Sequence, residues 1–160
     1  RVLVCDPWAQ PSRIQKLGAS LVSLEELQRQ ADVISLHLPL TKESISMVDA
    51  GFLSSMKPGS FLVNTARGGL VDEAALIEAL QSGHLAGAGL DCQATEPPEG
   101  VSLELVRLPN VVAMPHSASN TITARERMSR VAAQTIVDCL RGRRPEFVVN
   151  PAVLDKLDLE

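Results

Sequence analysis

Apolar residues in this chain fall into two alternating patterns: short unbroken runs, and longer stretches with helical spacing. Val2 to Cys5 is the first run, and it ends at Asp6-Pro7. Pro11 to Leu17 reads as a short helix, with proline in the first turn, where its missing N–H costs nothing, and Gly18 just past the end. Leu21-Val22 is a candidate second strand. Ser23 and Glu26 have the spacing of a capping box, in which a hydroxyl and a carboxylate satisfy the unpaired N–H groups of a helix start. Asp32 to Leu38 predicts a third strand, closed by Pro39. Ala50 to Met56 predicts a helix stopped by Lys57-Pro58-Gly59, and Phe61 to Asn64 a fourth strand.

Asp72 is expected to cap a helix through Gln81, with Ala75, Leu76, Ala79 and Leu80 on one face and Gly83 beyond its end. Leu85 to Leu90 is a strand of small residues that stops at Asp91, and Val111 to Met114 is the last strand, stopped by Pro115. From Thr121, a long helix carries an apolar stripe of Met128, Val131, Ala132, Ile136, Cys139 and Leu140, and Gly142 ends it. The segment 143–160 contains Pro145 and Pro151 and is expected to leave the core. Strands that alternate with helices imply right-handed crossovers and a parallel sheet. Runs without polar alternation imply strands covered on both faces. The expected fold class is therefore α/β, a doubly wound parallel sheet.

Composition narrows the options. A chain of 160 residues, 45% hydrophobic and 21% charged, suits one globular domain with a real core. The formal net charge is -4 with the signs mixed, no tyrosine is present, and Trp8 and three Phe are the aromatics. Neither a basic stripe nor a base-stacking surface is available, so nucleic acid is excluded as a partner. No apolar run approaches the roughly 20 residues that span a bilayer, so no membrane is expected either. The chain leads with a strand-like run and is read as lacking a signal peptide. Cys5, Cys92 and Cys139 lie far apart without metal spacing. They are expected to be buried small hydrophobes in a reducing, cytoplasmic setting.

In doubly wound sheets, ligands bind outside the carboxyl ends of the strands. The residues at those ends are Asp6, then His37 to Leu40, Thr65 to Gly69, Asp91 with Glu96 soon after, and His116. A guanidinium, a carboxylate and an imidazole on one rim suit proton-coupled chemistry on a small anion.

Six segments occur in order: Leu36 to Thr41 (LHLPLT), Met56 to Gly59 (MKPG), Val63 to Glu73 (VNTARGGLVDE), Leu90-Asp91, Glu96-Pro97-Pro98, and Pro115-His116. Together they resemble the D-isomer-specific 2-hydroxyacid dehydrogenase family, over residues 1 to about 150. The resemblance implies a Rossmann-like NAD-binding domain and hydride exchange between NAD(H) and a small 2-oxo or 2-hydroxy acid. It implies that Arg67 grips the substrate carboxylate and carbonyl oxygen, as a planar, permanently charged fork does well. His116 is then the general acid and base, and Glu96 the partner that orients it. Formate-oxidising relatives place an amide where Glu96 stands, so the acid favours a hydroxyacid substrate. Asp6 would bind the adenosine ribose hydroxyls and repel a 2′-phosphate, which predicts NAD rather than NADP. Asp91 would meet the nicotinamide carboxamide. Thr65 and Ala66 would lie against the nicotinamide half, bordered by Arg67 and His116, and His37 and Pro39 would flank the adenosine. A homodimer is implied as well.

The sequence departs from the family in one respect. The glycine fingerprint should precede the strand that ends at Asp6, and it is not found. Gly87-Ala88-Gly89 fails as a substitute because it lies inside a strand and opens no helix; close packing or close approach of the cofactor is the expected use of these glycines. The dinucleotide-binding domain is thus read as residues 1–146 without its first strand-loop-helix unit, with an exposed edge on the strand before Asp6. Residues 147–160 lead toward a missing substrate domain. These residues are expected to be a fragment of a longer polypeptide, or a truncated product, and inactive alone. An NAD(H)-responsive corepressor-like binding module and a catalytically silent domain are the alternatives. Glyoxylate, hydroxypyruvate, phosphoglycerate-type and lactate-type acids all remain open as substrates.

Overall fold

The computed structural model describes residues 1–156. The chain forms two compact units, Arg1–Ser117 and Ala118–Glu160. In the first, β1 (Leu3–Val4), α1 (Pro11–Lys16) and β2 (Ser20–Leu21) build a parallel two-stranded sheet, with Leu3 opposite Ser20 and Val4 opposite Leu21. α2 (Leu24–Gln30) follows, and the Ser23 hydroxyl accepts from Glu26 N at 3.2 Å. Only this half of the expected capping box forms as described, because Glu26 Oε1 accepts from Gln30 Nε2 at 2.9 Å.

Four further strands make the main sheet: β3 (Val33–Leu36), β4 (Ser60–Asn64), β5 (Leu85–Leu90) and β6 (Val111–Ala113). Their order is β3-β4-β5-β6 and every pair is parallel. α3 (Ala50–Ser55), α4 (Glu73–Gln81) and α5 (Gly100–Val106) are the crossovers. Side-chain caps start the first two of these helices. Asp49 Oδ1 accepts from Phe52 N at 2.8 Å, and Asp72 Oδ1 accepts from Ala74 N and Ala75 N at 3.1 Å each. Among the described residues, no strand pairs with the second edge of β1 or the outer edge of β3.

The sheet differs from the sequence reading in its burial. The strands were expected to be covered on both faces, yet β3 alternates: Ile34 and Leu36 are buried, while Val33 is 55% exposed. In β4, Leu62 is fully buried and Phe61 is 46% exposed. The reason is the handedness of the crossovers. Successive right-handed connections that advance in one direction deliver every helix to the same face. The core therefore lies on that face, where Leu53, Leu62, Leu76, Leu80, Leu85 and Leu105 pack together. β3 is also shorter than expected, because its partner β4 ends at Asn64, opposite Leu36.

α5 escaped the sequence reading because Val101-Ser102-Leu103-Glu104-Leu105 alternates like a strand. Its buried residues are Ser102 and Leu105, three apart, on one face of a helix. The cysteine expectation is corrected in part. Cys92 is buried, but Cys5 and Cys139 are exposed, and all three are free thiols. Gly87 serves close packing, since a Cβ there would come within 2.8 Å of Asn110 O and 3.2 Å of the Phe61 ring.

The second unit is dominated by α6 (Ile122–Leu140), capped by Thr121 Oγ1, which accepts from Ala124 N at 3.1 Å. Its apolar stripe is present, but no residue of the helix is buried. Met128, Val131, Ala132 and Ile136 line an open groove of about 620 Å³ with Phe147. Pro151–Lys156 form a 3₁₀ turn with Leu154 buried. The rest of the expected tail, 157–160, lies outside the described residues. Among the described residues, no helix is long and apolar enough to cross a membrane.

Candidate active site

Since β3 to β6 are adjacent and parallel, whatever follows each of them emerges on one rim of the sheet. β4 ends at Asn64, whose side chain is buried with both its Nδ2 and its Oδ1 hydrogen bonded. Its Nδ2 donates to Arg67 O at 2.9 Å and its Oδ1 accepts from Ala66 N at 3.0 Å. This clamp turns the chain sharply and leaves Thr65 and Arg67 exposed. Arg67 Nη1 donates to Ala66 O at 2.6 Å, a contact that uses one of the guanidinium's five N–H groups. Gly68 then opens a 3₁₀ turn, Gly68–Leu70. Its backbone lies directly on the Gln93 carbonyl, so that any Cβ at Gly68 would overlap that group.

β5 delivers Asp91, which is buried. Its backbone N donates to Asn64 O at 2.9 Å, and its Oδ1 accepts from Ser117 N at 2.8 Å. The loop beyond it curls back on itself, with Gln93 N donating to Glu96 Oε1 at 3.2 Å. β6 leads to His116, whose backbone adopts φ +51°. This left-handed conformation costs a non-glycine residue on the order of 1 kcal/mol. The bond from Ser117 N to Asp91 holds the next residue in place. In that position His116 Nδ1 is 2.9 Å from Glu96 Oε2 and 3.2 Å from Oε1. Both side chains remain over a third exposed.

Charge distribution at the rim is coupled. The hydrogen bond from His116 holds the Glu96 carboxyl below its ordinary value, against slight burial, with help from Gln93 N and opposition from Asp91. An ionised carboxylate only accepts, so Nδ1 of the ring carries the proton, and Nε2 is the nitrogen left for proton exchange. Burial pushes the Cys92 thiol up to about 11, and the carboxylates of Glu96, Asp91 and Glu73 add to that while Arg67 opposes it. One thiol thus senses the charges of Arg67, Glu96, Asp91 and Glu73 together. It stays protonated at neutral pH and is no nucleophile.

The Glu96 shift has a consequence for stability. A carboxyl with a lowered folded-state value contributes stability that is complete above the ordinary glutamate range. That contribution is lost as pH falls through the lowered value. Between about pH 6 and about pH 3, the parent chain is expected to lose more stability than the Glu96→Gln variant. The difference should stay below about 1 kcal/mol, because solvent screens so exposed a pair. Urea denaturation at the two pH values measures it, and equal losses in both chains would remove the pair's contribution.

The other sequence candidates stand further along or off this rim. His37 follows β3, with Nε2 hydrogen bonded to Ser35 Oγ at 2.8 Å. The Pro39 carbonyl accepts from Ser44 Oγ at 2.9 Å. Asp6 follows β1 on the separate two-stranded sheet, and its Oδ1 accepts from Trp8 N at 2.8 Å. Three residues at the rim were given no role in the sequence reading: the Asn64 clamp, Gly68 and the buried Glu73. Their signal was weak, since an Asn at a strand end and an acid at a helix start are common.

The sequence matches the family model of the D-isomer specific 2-hydroxyacid dehydrogenase NAD binding domain over residues 1–118. Among curated relatives, the D-3-phosphoglycerate dehydrogenase of Archaeoglobus fulgidus is 39% identical over 99% of this chain and 30% of its own length. The glyoxylate reductase of Thermococcus litoralis is 44% identical over 90% of this chain and 43% of its own length. The crystal structure of D-lactate dehydrogenase with NAD+ from Lactobacillus jensenii superposes with a TM-score of 0.85 at 33% identity, covering 93% of this chain and 48% of that one. The chain therefore spans less than half the length of each of these relatives.

Proposed function

The chain belongs to the NAD-binding-domain family of D-isomer specific 2-hydroxyacid dehydrogenases, and on that premise we propose that it serves NAD(H)-dependent interconversion of a small 2-oxo acid and its D-2-hydroxy acid. The observation that carries this reading is the 2.9 Å bond between His116 Nδ1 and Glu96, on the rim that also carries Arg67. With Nδ1 occupied, Nε2 of His116 gives its proton to the substrate carbonyl oxygen in reduction and takes the hydroxyl proton in oxidation. Glu96 accepts from Nδ1 and fixes the ring. Arg67 receives the substrate carboxylate with its outward N–H groups. Asp91, through Ser117 N, holds the backbone next to His116.

The donor set fits a dinucleotide. Asp6 keeps Oδ2 for a ribose diol while Oδ1 takes Trp8 N, and a carboxylate there disfavours a 2′-phosphate. Asp6, His37 and Pro39 would hold the adenosine half, and Thr65, Ala66, Arg67, Asp91 and His116 the nicotinamide half. When bound, the cofactor supplies the hydride. The reading takes residues 1–146 as the dinucleotide-binding domain and 147–160 as the path toward a substrate domain, in a cytoplasmic homodimer.

The test is NADH oxidation by the longest natural polypeptide that carries these residues, over a panel of glyoxylate, hydroxypyruvate, phosphorylated and lactate-type 2-oxo acids. Turnover with at least one, and preference for NADH over NADPH, is expected. Arg67→Lys should raise KM for that acid about 10- to 100-fold, since one charge-assisted bond of about 1.5–3 kcal/mol is lost. Tight NADH binding with no turnover on any acid would refute the catalytic reading in favour of a binding module.

A further inference from the structure

Glu73 begins α4, and its side chain is buried. Water normally claims such a carboxylate unless hydrogen bonds replace the lost hydration. Here both oxygens have partners in the segment that carries Glu96. Oε1 accepts from Ala94 N at 2.8 Å, and Oε2 accepts from the hydroxyl of Ser102, itself buried. Ser102 Oγ in turn accepts from Thr95 N at 3.3 Å. The first turn of α4 adds the positive end of its dipole.

These contacts form a chain that ends at the imidazole. Glu73 holds Ala94 N. One residue earlier, Gln93 N holds Glu96 Oε1, and the Glu96 carboxylate holds His116 Nδ1. Meanwhile the Gln93 carbonyl rests on Gly68, the residue after Arg67. The Glu96 loop is thus fixed at two points, both on the segment from Asn64 to the first residue of α4.

We propose that Glu73 is a positioning residue: its buried carboxylate sets the loop that carries Glu96, and through that loop the hydrogen bond between Glu96 and His116. The inference deepens the reading of that pair as the proton-handling group and rests on it. Its test reads the pair itself and needs no turnover, so the two can fail separately. The alternative is a purely structural role, in which Glu73 stabilises α4 without governing the pair.

Titration of the Glu and Asp side-chain carboxyl carbons by NMR separates these, with Glu96 assigned through Glu96→Gln. Asp32 is the internal control, since Lys57 lowers its carboxyl at a separate surface site. In folded Glu73→Ala, the Glu96 titration should rise into the ordinary glutamate range while that of Asp32 stays put. Glu73→Gln can still accept from Ala94 N and should keep Glu96 low. If Glu73→Ala does not fold, Ser102→Ala, which removes one of the two bonds, is read in the same way and should raise Glu96 part of the way. In an active polypeptide, Glu73→Ala should lower kcat by up to about 100-fold with KM little changed, as a displacement of about 1 Å does. A folded variant whose Glu96 titrates as in the parent overturns the proposal, and so does one in which Glu96 and Asp32 move together.

Discussion

Replacing His116 with alanine is expected to lower kcat for 2-oxo acid reduction by about 10²- to 10⁴-fold, the usual contribution of a positioned acid–base group. NADH affinity should change less than kcat, because His116 is one of several residues that border the nicotinamide half but is the one that carries the proton. His116 sits at φ +51°, so the variant's folding must be checked separately. His116→Asn provides the control, since asparagine tolerates the left-handed region better than most residues and yet supplies no titrating proton. Both variants should lose turnover alike, with melting temperatures close to the parent's. A folded His116→Asn protein with near-parental kcat would remove the imidazole from the mechanism.

Gly68→Ala is expected to destabilise the Arg1–Ser117 unit by about 3 kcal/mol, near the upper end for overpacking. The new Cβ would meet backbone, the Gln93 carbonyl and Ala94 N, and neither can rotate away as a side chain would. Either the Arg67 turn or the Glu96 loop must shift. At 2–4 °C per kcal/mol, the melting temperature should fall by roughly 10 °C. A scan of the unit's near-ultraviolet or fluorescence transition measures it, and a fall of under roughly 2 °C would mean that the loop yields freely. In that case Gly68 would no longer explain how the two halves of the rim keep their spacing.

Much of the molecule was legible locally. Pro11 and Gly18 bracket α1, and Asp72 opens α4, because the chemistry of an unpaired helix N–H is the same in any context. Parallel pairing followed from strands that alternate with helices. α5 was lost because alternating apolar residues suit a short helix and a strand equally well. The burial of β3 and β4 was misjudged because apolar runs do not say which helices arrive, or on which side.

At the rim, the sequence alone marked Arg67, Glu96 and His116 by residue type and by their places after strands, and it set the family. It also determined most of the elements, α5 excepted, since caps and periodicity act over four residues or fewer. Only the tertiary structure brought the Glu96 carboxylate to 2.9 Å from the His116 ring across 20 residues of chain. It also buried Glu73 beneath the loop and left Val33 and Phe61 of the main sheet exposed beside buried Leu62. Those outcomes depend on register and crossover handedness, which arise between segments and are written in none of them singly.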